Sequence, residues 1–351
     1  MNADFFAAIA DIEKEKGIPQ AYMLDKIEQA LLAALKKDRP AAAECARVDL
    51  DPVRKTIDMY IQKTVAEEVE DPAVELSVEE ARAVSPTAEI GDIINEPVDT
   101  NKFGRIAAQA AKQVIIQGIR EAERGIIFDE FTSKEHEILT GIVSRVEPRT
   151  GGVSIQISSN SEFAEAMLSA DERIPNEQLS EGEHIKVYIV EVRKSTRGPQ
   201  VIISRTHPGL VKRLFELEVP EIFDGVVEIR SIAREAGSRT KISVLSTDPE
   251  VDPIGACIGP KQSRVAAIVD ELNGEKIDIV KYSDDPAEHI AAALAPSDVI
   301  SVTLLDEGKT CRVIVPDNQL SLAIGKEGQN VRLAARLTGY KIDIKPESQA
   351  E

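Results

Sequence analysis

The spacing of apolar and polar residues changes along the chain, and each spacing predicts a different structure. Residues 2–16 and 20–37 place apolar side chains three and four positions apart, as amphipathic helices do, and Gly17 and Pro19 separate the two segments. The next segment, ARVDLDPVRKTIDMYIQKTV, alternates apolar and polar residues on either side of Asp51. This alternation predicts two strands joined by a turn.

Two more helices are predicted before residue 133. Ser77 and Glu80 have the spacing of a capping box, in which each side chain accepts a hydrogen bond from the other residue's backbone N–H at the start of a helix. A longer helix is expected from about Thr100 to Arg124, with Gly125 ending it. The first part of the chain is therefore expected to be an α+β domain.

From Ile138 onward the pattern changes to short strands separated by Gly, Pro and Ser. The segments are ILTGIVSRVEP, GGVSIQIS, HIKVYIVEVRKS and PQVIISRT. About five strands in roughly 70 residues suit a small barrel of the OB type, and the pattern leaves a small β-sandwich open as the alternative. Phe163 and Tyr188 are the main aromatic candidates for stacking on bases, but we expect both in the core.

The last part of the chain contains an internal repeat. The segment IGACIGPKQSRVAAIVDELNGEKIDIV, residues 254–280, aligns with LSLAIGKEGQNVRLAARLTGYKIDIK, residues 320–345. Each copy predicts a short helix, a glycine-containing loop, a second helix ended by Gly274 or Gly339, and a strand. Two strands precede each copy, VVEIRSI and TKISVLS in the first, VISVTLL and TCRVIVP in the second. The repeat thus predicts two tandem α/β modules.

The glycine-containing loops are the clearest candidate for function. In the second copy IGKEGQN, residues 324–330, joins two predicted helices, and a helix-GxxG-helix unit is the mark of the KH domain, whose loop clamps about four nucleotides. Glycines let the backbone approach the sugar-phosphate closely, and the next helix offers unpaired N–H groups to phosphate. The same spacing also occurs in ordinary turns, so a pair of structural helix-turn-helix units is the alternative.

The first copy has GPKQ where the second has GKEG, so Gln262 replaces the second glycine and we expect the first loop to be the weaker clamp. In the barrel, cations near residues 193–205 are better candidates than aromatic residues, with a solvated charged rim as the alternative. The predicted RNA-binding residues are Arg193, Lys194, Arg197, Arg205, Gly259, Lys261, Gln262, Arg264, Gly325, Lys326, Gly328, Gln329, Asn330 and Arg332. His207 lies just beyond the barrel cations.

Composition both supports and opposes this interpretation. The chain has 351 residues, 42% of them hydrophobic, which is enough for several small cores, but its formal net charge of -19 is unlike a general nucleic-acid coat. Residues 1–132 hold 16 Lys and Arg against 26 Asp and Glu, residues 133–206 hold 9 against 11, and residues 207–351 hold 17 against 24. About half of the excess acid therefore precedes the predicted RNA-binding modules.

The sequence contains no recognisable catalytic or metal site. Three cysteines lie far apart without a CxxC pair, four histidines are scattered, and neither a GxxxxGK[ST] loop nor a nucleophile elbow is present. The N-terminus does not resemble a signal peptide, and no stretch approaches the roughly 18 apolar residues of a membrane span. We expect a cytoplasmic protein without enzyme activity, metal, cofactor or membrane contact.

The stretch VRKSTRGPQVIISRTHPGLVKRLFELEVPEIFDGVVEIRSIAREAG, together with the second repeat, resembles the NusA family. The resemblance covers about residues 1–346 and implies an α+β multidomain protein. The implied parts are an N-terminal RNA-polymerase-binding domain (1–132), a five-stranded OB-fold RNA-binding barrel (133–206), two tandem KH domains (207–283 and 284–346) and a tail (347–351). The acidic C-terminal repeats of some members do not follow KPESQAE, so we expect no function that depends on them.

The resemblance also implies a function. It predicts a monomeric RNA-binding transcription elongation factor that binds core RNA polymerase and nascent single-stranded RNA, and that modulates pausing, termination and antitermination together with other factors. A ribosome- or mRNA-associated RNA-binding protein is the alternative, because such proteins use the same modules. A phosphorolytic exoribonuclease also carries KH and OB-type modules, but it needs a large catalytic domain that the acidic first 130 or so residues do not supply.

Overall fold

The computed structural model describes residues 2–98, 105–160, 162–195, 198–305 and 308–349. Its contacts divide the chain into two compact units, Met1–Ile126 and Ile127–Glu351. In the first unit the helices are α1 (Asn2–Lys16), α2 (Gln20–Asp38) and α3 (Val78–Val84), and the strands are β1 (Ala46–Asp51), β2 (Thr56–Ala66), β3 (Glu75–Ser77) and β4 (Ile93–Pro97). Strand β2 is central, pairing antiparallel with β1 and β4 and parallel with β3.

The predicted local signals of the first unit are confirmed. The hairpin of β1 and β2 turns at Asp51, whose carboxylate accepts hydrogen bonds from the backbone N–H groups of Val53 and Arg54. Ser77 and Glu80 form the predicted capping box at the start of α3. Each of these short-range patterns satisfies backbone groups that the strand or helix leaves unpaired.

The long helix does not end where the sequence predicts. Helix α4 spans Arg105–Thr132 and therefore continues past Gly125, while the predicted start near Thr100 lies outside the described residues. The reason is tertiary packing: Phe131 is fully buried in the core of the barrel, and Ile127 and Phe128 pack against the same cluster. This burial outweighs the small helix-weakening effect of one glycine.

The second unit begins with a closed five-stranded barrel, as predicted. Its strands are β5 (Ile138–Val146), β6 (Val153–Ser159), β7 (Glu162–Leu168), β8 (His184–Ser195) and β9 (Gly198–Ser204). They close in the order β5-β6-β7-β9-β8, with β7 and β9 parallel and the other pairs antiparallel. Ile, Val and Leu side chains that alternate inward along the strands form the core.

Two modules with the same topology follow the barrel. Helices α5 (Pro208–Glu218) and α6 (Pro220–Phe223) lead into the first module, which contains β10 (Val227–Glu235), β11 (Arg239–Ser246), α7 (Pro253–Ile258), α8 (Ser263–Glu271) and β12 (Lys276–Lys281). Helix α9 (Pro286–Ala293) leads into the second, which contains β13 (Ser301–Leu305), β14 (Thr310–Val315), α10 (Leu320–Ile324), α11 (Gln329–Thr338) and β15 (Lys341–Pro346). In each sheet the middle strand pairs antiparallel with the first and parallel with the last.

The two modules share an apolar seam. Ala233 and Val280 of the first module's sheet belong to the same buried cluster as Ile290 of α9 and Leu333 of α11. The opposite face of that sheet packs on the first module's own helices, where Ile242 and Val244 are buried. The first sheet thus lies between two helical layers, and the helix that follows the second glycine loop packs directly on it.

Candidate RNA interface

The loops Gly259–Gln262 (the first loop) and Gly325–Gly328 (the second loop) have the same backbone conformation. Their first glycines have φ/ψ of 74°/173° and 78°/170°. At the last position Gln262 has 64°/19° and Gly328 has 73°/16°, both in the left-handed region. A residue with a Cβ is strained there by about 1 kcal/mol, so the first loop keeps the clamp geometry at a cost that the second avoids.

Each loop needs its first glycine for internal packing. A Cβ at Gly325 would lie 2.8 Å from the Cβ and backbone N of Asn330, and a Cβ at Gly259 would lie 2.6 Å from Cγ of Arg264. At Gly328, by contrast, a Cβ would meet no atom within 4 Å. The first glycine therefore closes the loop on its own helix, whereas Gly328 borders open space.

The loop cations do not occupy equivalent places. Lys261 is the third residue of the first loop, and the residue that matches it in the second loop is Glu327. Lys326 is the second residue of its loop and matches Pro260. Both lysines are exposed. Each loop thus carries one lysine as predicted, and the second loop also carries the acidic Glu327.

Helices α8 and α11 start directly at the loops. Neither has a side chain that caps its first turn, so the first backbone N–H groups are free of side-chain acceptors. The N–H of the first helical residue, Ser263 or Gln329, bonds back to a carbonyl of its loop, whereas the positive end of the helix dipole still favours a nearby anion such as a phosphate. This arrangement appears in both modules.

Several predicted contact residues of the helices are engaged within the protein. Asn330 is buried, and its amide group donates hydrogen bonds to the backbone oxygens of Leu294 and Ala323, each at 3.0 Å. The side chain of Asn330 thus holds α11 in place, which differs from the RNA contact predicted for it. Arg264 is also occupied, donating to Glu221 at 2.8 Å and to the backbone oxygen of Ala256 at 2.6 Å.

Gln329 and Arg332 both bond to Glu235 of the first module. Gln329 Nε2 lies 2.9 Å from Glu235 Oε2, and Arg332 Nη2 lies 3.1 Å from the same oxygen. The guanidinium of Arg332 holds the pKa of Glu235 below its ordinary value. The side chain of Arg332 is 44% exposed, so it borders the loop while it is paired.

Among the barrel cations, Arg205 does not fit its predicted role. It is 1% exposed and bonds to Glu177 at 3.1 Å and to Glu271 at 2.9 Å. Because Glu271 ends α8, this buried network joins the barrel to the first module and leaves no guanidinium for RNA. Removing one partner of such a buried pair typically costs about 3–5 kcal/mol.

Arg193 and Lys194 of the barrel lie at the surface. The side chain of Arg193 is 60% exposed and pairs with Glu191 at 2.6 Å, and Lys194 lies 4.5 Å from the ring centroid of Phe128. Arg197 lies outside the described residues. His207 caps α5, where its Nδ1 accepts from the backbone N–H of Gly209 at 3.0 Å.

Phe163 is exposed, contrary to the prediction that it lies in the core. It is 59% exposed on the outer face of β7, and Met167 on the same face is 49% exposed. Tyr188 is buried as predicted, stacked on His207 with ring centroids 4.7 Å apart. The missed signal is the alternation in EFAEAML, where Glu165 stands between Phe163 and Met167 and marks their common face as the outer one.

A cleft of about 390 Å³ lies beside the second loop. Gly325 and Lys326 form one side, and Lys276 and Arg239 of the first module contribute to the other. Lys276 and Lys326 are both exposed, whereas Arg239 pairs with Asp278 at 2.7 Å. Lys276 was not among the predicted residues, because only the folded topology brings the start of β12 close to the second loop.

Three parts of the chain match known protein families. Residues 4–125 match the NusA N-terminal domain, residues 205–282 the NusA-like first KH domain and residues 286–351 the NusA-like second KH domain. The transcription termination/antitermination protein NusA of Halalkalibacterium halodurans is 52% identical over 351 residues, which is 100% of this chain and 90% of that protein. The chain belongs to the NusA family.

Other NusA proteins are similar over comparable lengths. The Bacillus subtilis protein is 52% identical, and the match covers 100% of this chain and 92% of that protein. The Thermus thermophilus protein is 41% identical, and the match covers 97% of this chain and 89% of that protein. A solution structure of the N-terminal domain of NusA from B. subtilis is 40% identical, covers 35% of this chain and 99% of that chain, and has a TM-score of 0.29.

Family membership makes the chain a NusA-type transcription factor with RNA-binding KH domains and not an enzyme. Burial raises the pKa of the Cys257 thiol to about 12, which disfavours the reactive thiolate. Within the described ranges, no group of His, Cys, Asp and Glu side chains could hold a metal ion. A search of the same residues finds no helix with both the length and the apolarity of a membrane span.

Proposed function

We propose that this chain is a transcription elongation factor that binds RNA polymerase through residues 1–132 and nascent single-stranded RNA through the barrel and the two KH modules. In this role it modulates pausing, termination and antitermination. The observation that carries the proposal is the second loop: two glycines, an uncapped helix start and a lysine beside a cleft that a second lysine enters from the neighbouring module. Each of these features favours a sugar-phosphate backbone.

The proposed RNA surface differs from the sequence-based set. It retains the predicted residues Arg193, Lys194, Gly259, Lys261, Gln262, Gly325, Lys326, Gly328, Gln329 and Arg332, and adds Lys276 and Phe163. Arg197, which lies outside the described residues, is kept as predicted. The proposed surface omits Arg205, Arg264 and Asn330, whose bonded side chains are less exposed than those of Arg193 and Arg332. Phe163 supplies an exposed aromatic ring on the barrel, and such rings stack on bases of single-stranded nucleic acid. The proposed domains are those predicted from the sequence, with limits at residues 1–132, 133–206, 207–283 and 284–346, followed by the tail 347–351.

Support for the polymerase contact comes from the first unit. Residues 4–125 match the NusA N-terminal domain, and residues 1–132 carry the larger share of excess acid, which disfavours RNA and suits a protein partner. Val84, Ile90 and Ile93 are each at least 60% exposed. Exposed apolar side chains of this size are characteristic of protein-binding surfaces when they form a continuous patch.

The tethering account makes a prediction about transcription. A protein that holds polymerase and RNA at once raises the local concentration of its RNA modules, so the full chain should lengthen hairpin-stabilised pauses. Residues 127–351 alone should lengthen them at least about tenfold less at equal concentration. The truncation begins at residue 127 because Phe131 belongs to the core of the barrel.

Single-round transcription with purified polymerase tests this. The matched control adds residues 1–126 and 127–351 as separate chains, which supplies every surface without the covalent link. Equal pausing by the truncated chain or by the separated pair would contradict the tethering account. Binding of core polymerase by residues 1–126 alone would separate this function from that of a ribosome-associated protein.

A further inference from the structure

Glu235 connects the two KH modules at the helix that follows the second loop. Its carboxylate, at the end of β10 in the first module, accepts hydrogen bonds from Arg332 Nη2 at 3.1 Å and from Gln329 Nε2 at 2.9 Å. Arg336 Nη1 lies 3.8 Å away. All three side chains belong to α11, and Gln329 is the first residue of that helix.

The residues around Glu235 make this carboxylate a fixed point. Ser238, in the same turn, accepts a second hydrogen bond from Gln329 Nε2 at 2.7 Å. The backbone N–H of Gly237 donates to Glu275 at 2.9 Å, and Glu275 pairs with the buried Arg234 at the same distance. The turn that carries Glu235 is thereby anchored inside the first module.

The rest of the seam is apolar and has less directional preference. Ala233 and Val280 pack against Ile290 and Leu333 in one cluster, and apolar contact of this kind tolerates small rotations. Charge-assisted hydrogen bonds are directional, so the bonds to Glu235 set the orientation of the first turn of α11. That turn carries the N–H groups next to Gly328, where phosphate is expected.

We propose that Glu235 is a positioning residue: it holds the second loop in a fixed orientation relative to the first module, so that one RNA strand can occupy both loops. This inference rests on the proposed RNA-binding function. Because this contact fixes the second loop relative to the first module, a strand bound at one loop loses less further freedom when it binds the other.

If the contact between Glu235 and Arg332 served a different role, the masking of the arginine's charge, the effect of mutating Glu235 on RNA affinity would be the opposite. If Glu235 only masks the charge of Arg332, Glu235→Gln would free the guanidinium and raise affinity for any RNA that reaches the second loop. Under the positioning role, Glu235→Gln lowers the affinity for a two-loop RNA by about three- to tenfold relative to the affinity for a one-loop RNA. Glu235→Asp keeps the charge but shortens the side chain, so it should also lose two-loop binding.

The experiment uses the full chain and fluorescence anisotropy with single-stranded RNAs of about four and about ten nucleotides, since one KH loop holds about four. The matched control is Glu228→Gln on the same strand, because Glu228 pairs with Arg230 of its own module at 3.0 Å. Thermal unfolding verifies that each variant is folded. The expected result is a selective loss of ten-nucleotide binding in both Glu235 variants and none in the control.

Other results would overturn the inference. An unchanged ratio of the two affinities in Glu235→Gln would refute positioning, and a rise in both affinities would establish masking in its place. If Glu235→Asp bound the ten-nucleotide RNA as tightly as the wild-type chain does, the length of the Glu235 side chain would not matter and the positioning role would be refuted. Failure of the wild-type chain to bind either RNA would instead reject the proposed function, which keeps the two failures distinct.

Discussion

At the scale of single residues, one Cβ distinguishes two otherwise matching loops. Gln262 and Gly328 differ by less than 10° in φ and by less than 5° in ψ, so the first module has kept the loop conformation without the residue that favours it. The strain of a left-handed residue is of order 1 kcal/mol. The second loop should therefore be the stronger phosphate clamp.

This difference predicts how three loop variants rank in RNA affinity. Gln262→Gly should raise the free energy of unfolding by about 1 kcal/mol and should maintain or strengthen RNA binding. Gly328→Asp places a negative side chain on the open side of the second loop, and we expect about a tenfold loss of RNA affinity, equal to about 1.4 kcal/mol. Gln262→Asp is the matched control and should lose less, since that loop already carries a side chain.

Urea unfolding and affinities for one single-stranded RNA measure these effects. If Gln262→Gly lost as much binding as Gly328→Asp, Gln262 would be a direct RNA contact and the predicted order would be wrong.

Sequence reasoning found the positions of the loops but not the engagement of individual side chains. The glycines and helix boundaries follow from local backbone requirements, which a sequence displays. The burial of Arg205 depends on Glu177 and Glu271, and that of Asn330 on the backbone oxygen of Leu294, all distant in sequence. A lone Arg or Asn looks the same in a sequence whether it faces solvent or a folded partner.

At the scale of elements, packing extended one helix past its predicted end. Gly125 lies inside α4 without a positive φ, and a Cβ there would meet no atom within 4 Å. The apolar residues Ile127, Phe128 and Phe131 that follow it are held by the barrel core. A helix rule based on glycine alone cannot include such a long-range contribution. The alternation on either side of Asp51, by contrast, predicted strands β1 and β2 correctly.

Gly125→Ala should therefore stabilise the protein. Alanine loses less backbone entropy than glycine on entering a helix, and the open space accepts its methyl group, so we expect a gain of about 0.5–1 kcal/mol. Gly118→Ala in the same helix is the control, because its Cβ would lie 3.3 Å from Cγ of Lys26 and should gain less. Thermal unfolding measures the change in stability of both variants. A destabilised Gly125→Ala would contradict the open helical environment described for Gly125.

At the scale of the whole molecule, an acidic chain is proposed to bind an acidic polymer. The formal net charge is -19, yet exposed Lys276 and Lys326 lie together at one cleft. At moderate ionic strength charges more than about 10 Å away are screened, so local cations outweigh the distant excess of acid. Net charge alone therefore does not exclude RNA binding. Only the folded structure reveals that Lys276 and Lys326 line the same cleft.

Salt dependence tests this local account. The logarithm of RNA affinity should fall linearly with the logarithm of salt concentration, with a slope of about -0.7 for each single-strand phosphate contact. Lys326→Gln should make the slope shallower by about 0.7. Lys212→Gln is the control, since this lysine is 53% exposed on α5 and lies outside the proposed surface. A Lys326 variant with an unchanged slope would remove that residue from the phosphate path.

The exposed ring of Phe163 offers a way to observe the barrel separately from the loops. The chain contains no Trp and five Tyr, so Phe163→Trp would introduce the molecule's only indole on a face where the native side chain is already 59% exposed. Its emission, excited beyond the absorption of tyrosine, would come from that face alone. Bases that stack on the indole would quench it, so a titration with RNA would distinguish occupancy of the barrel from occupancy of the KH loops within one intact protein.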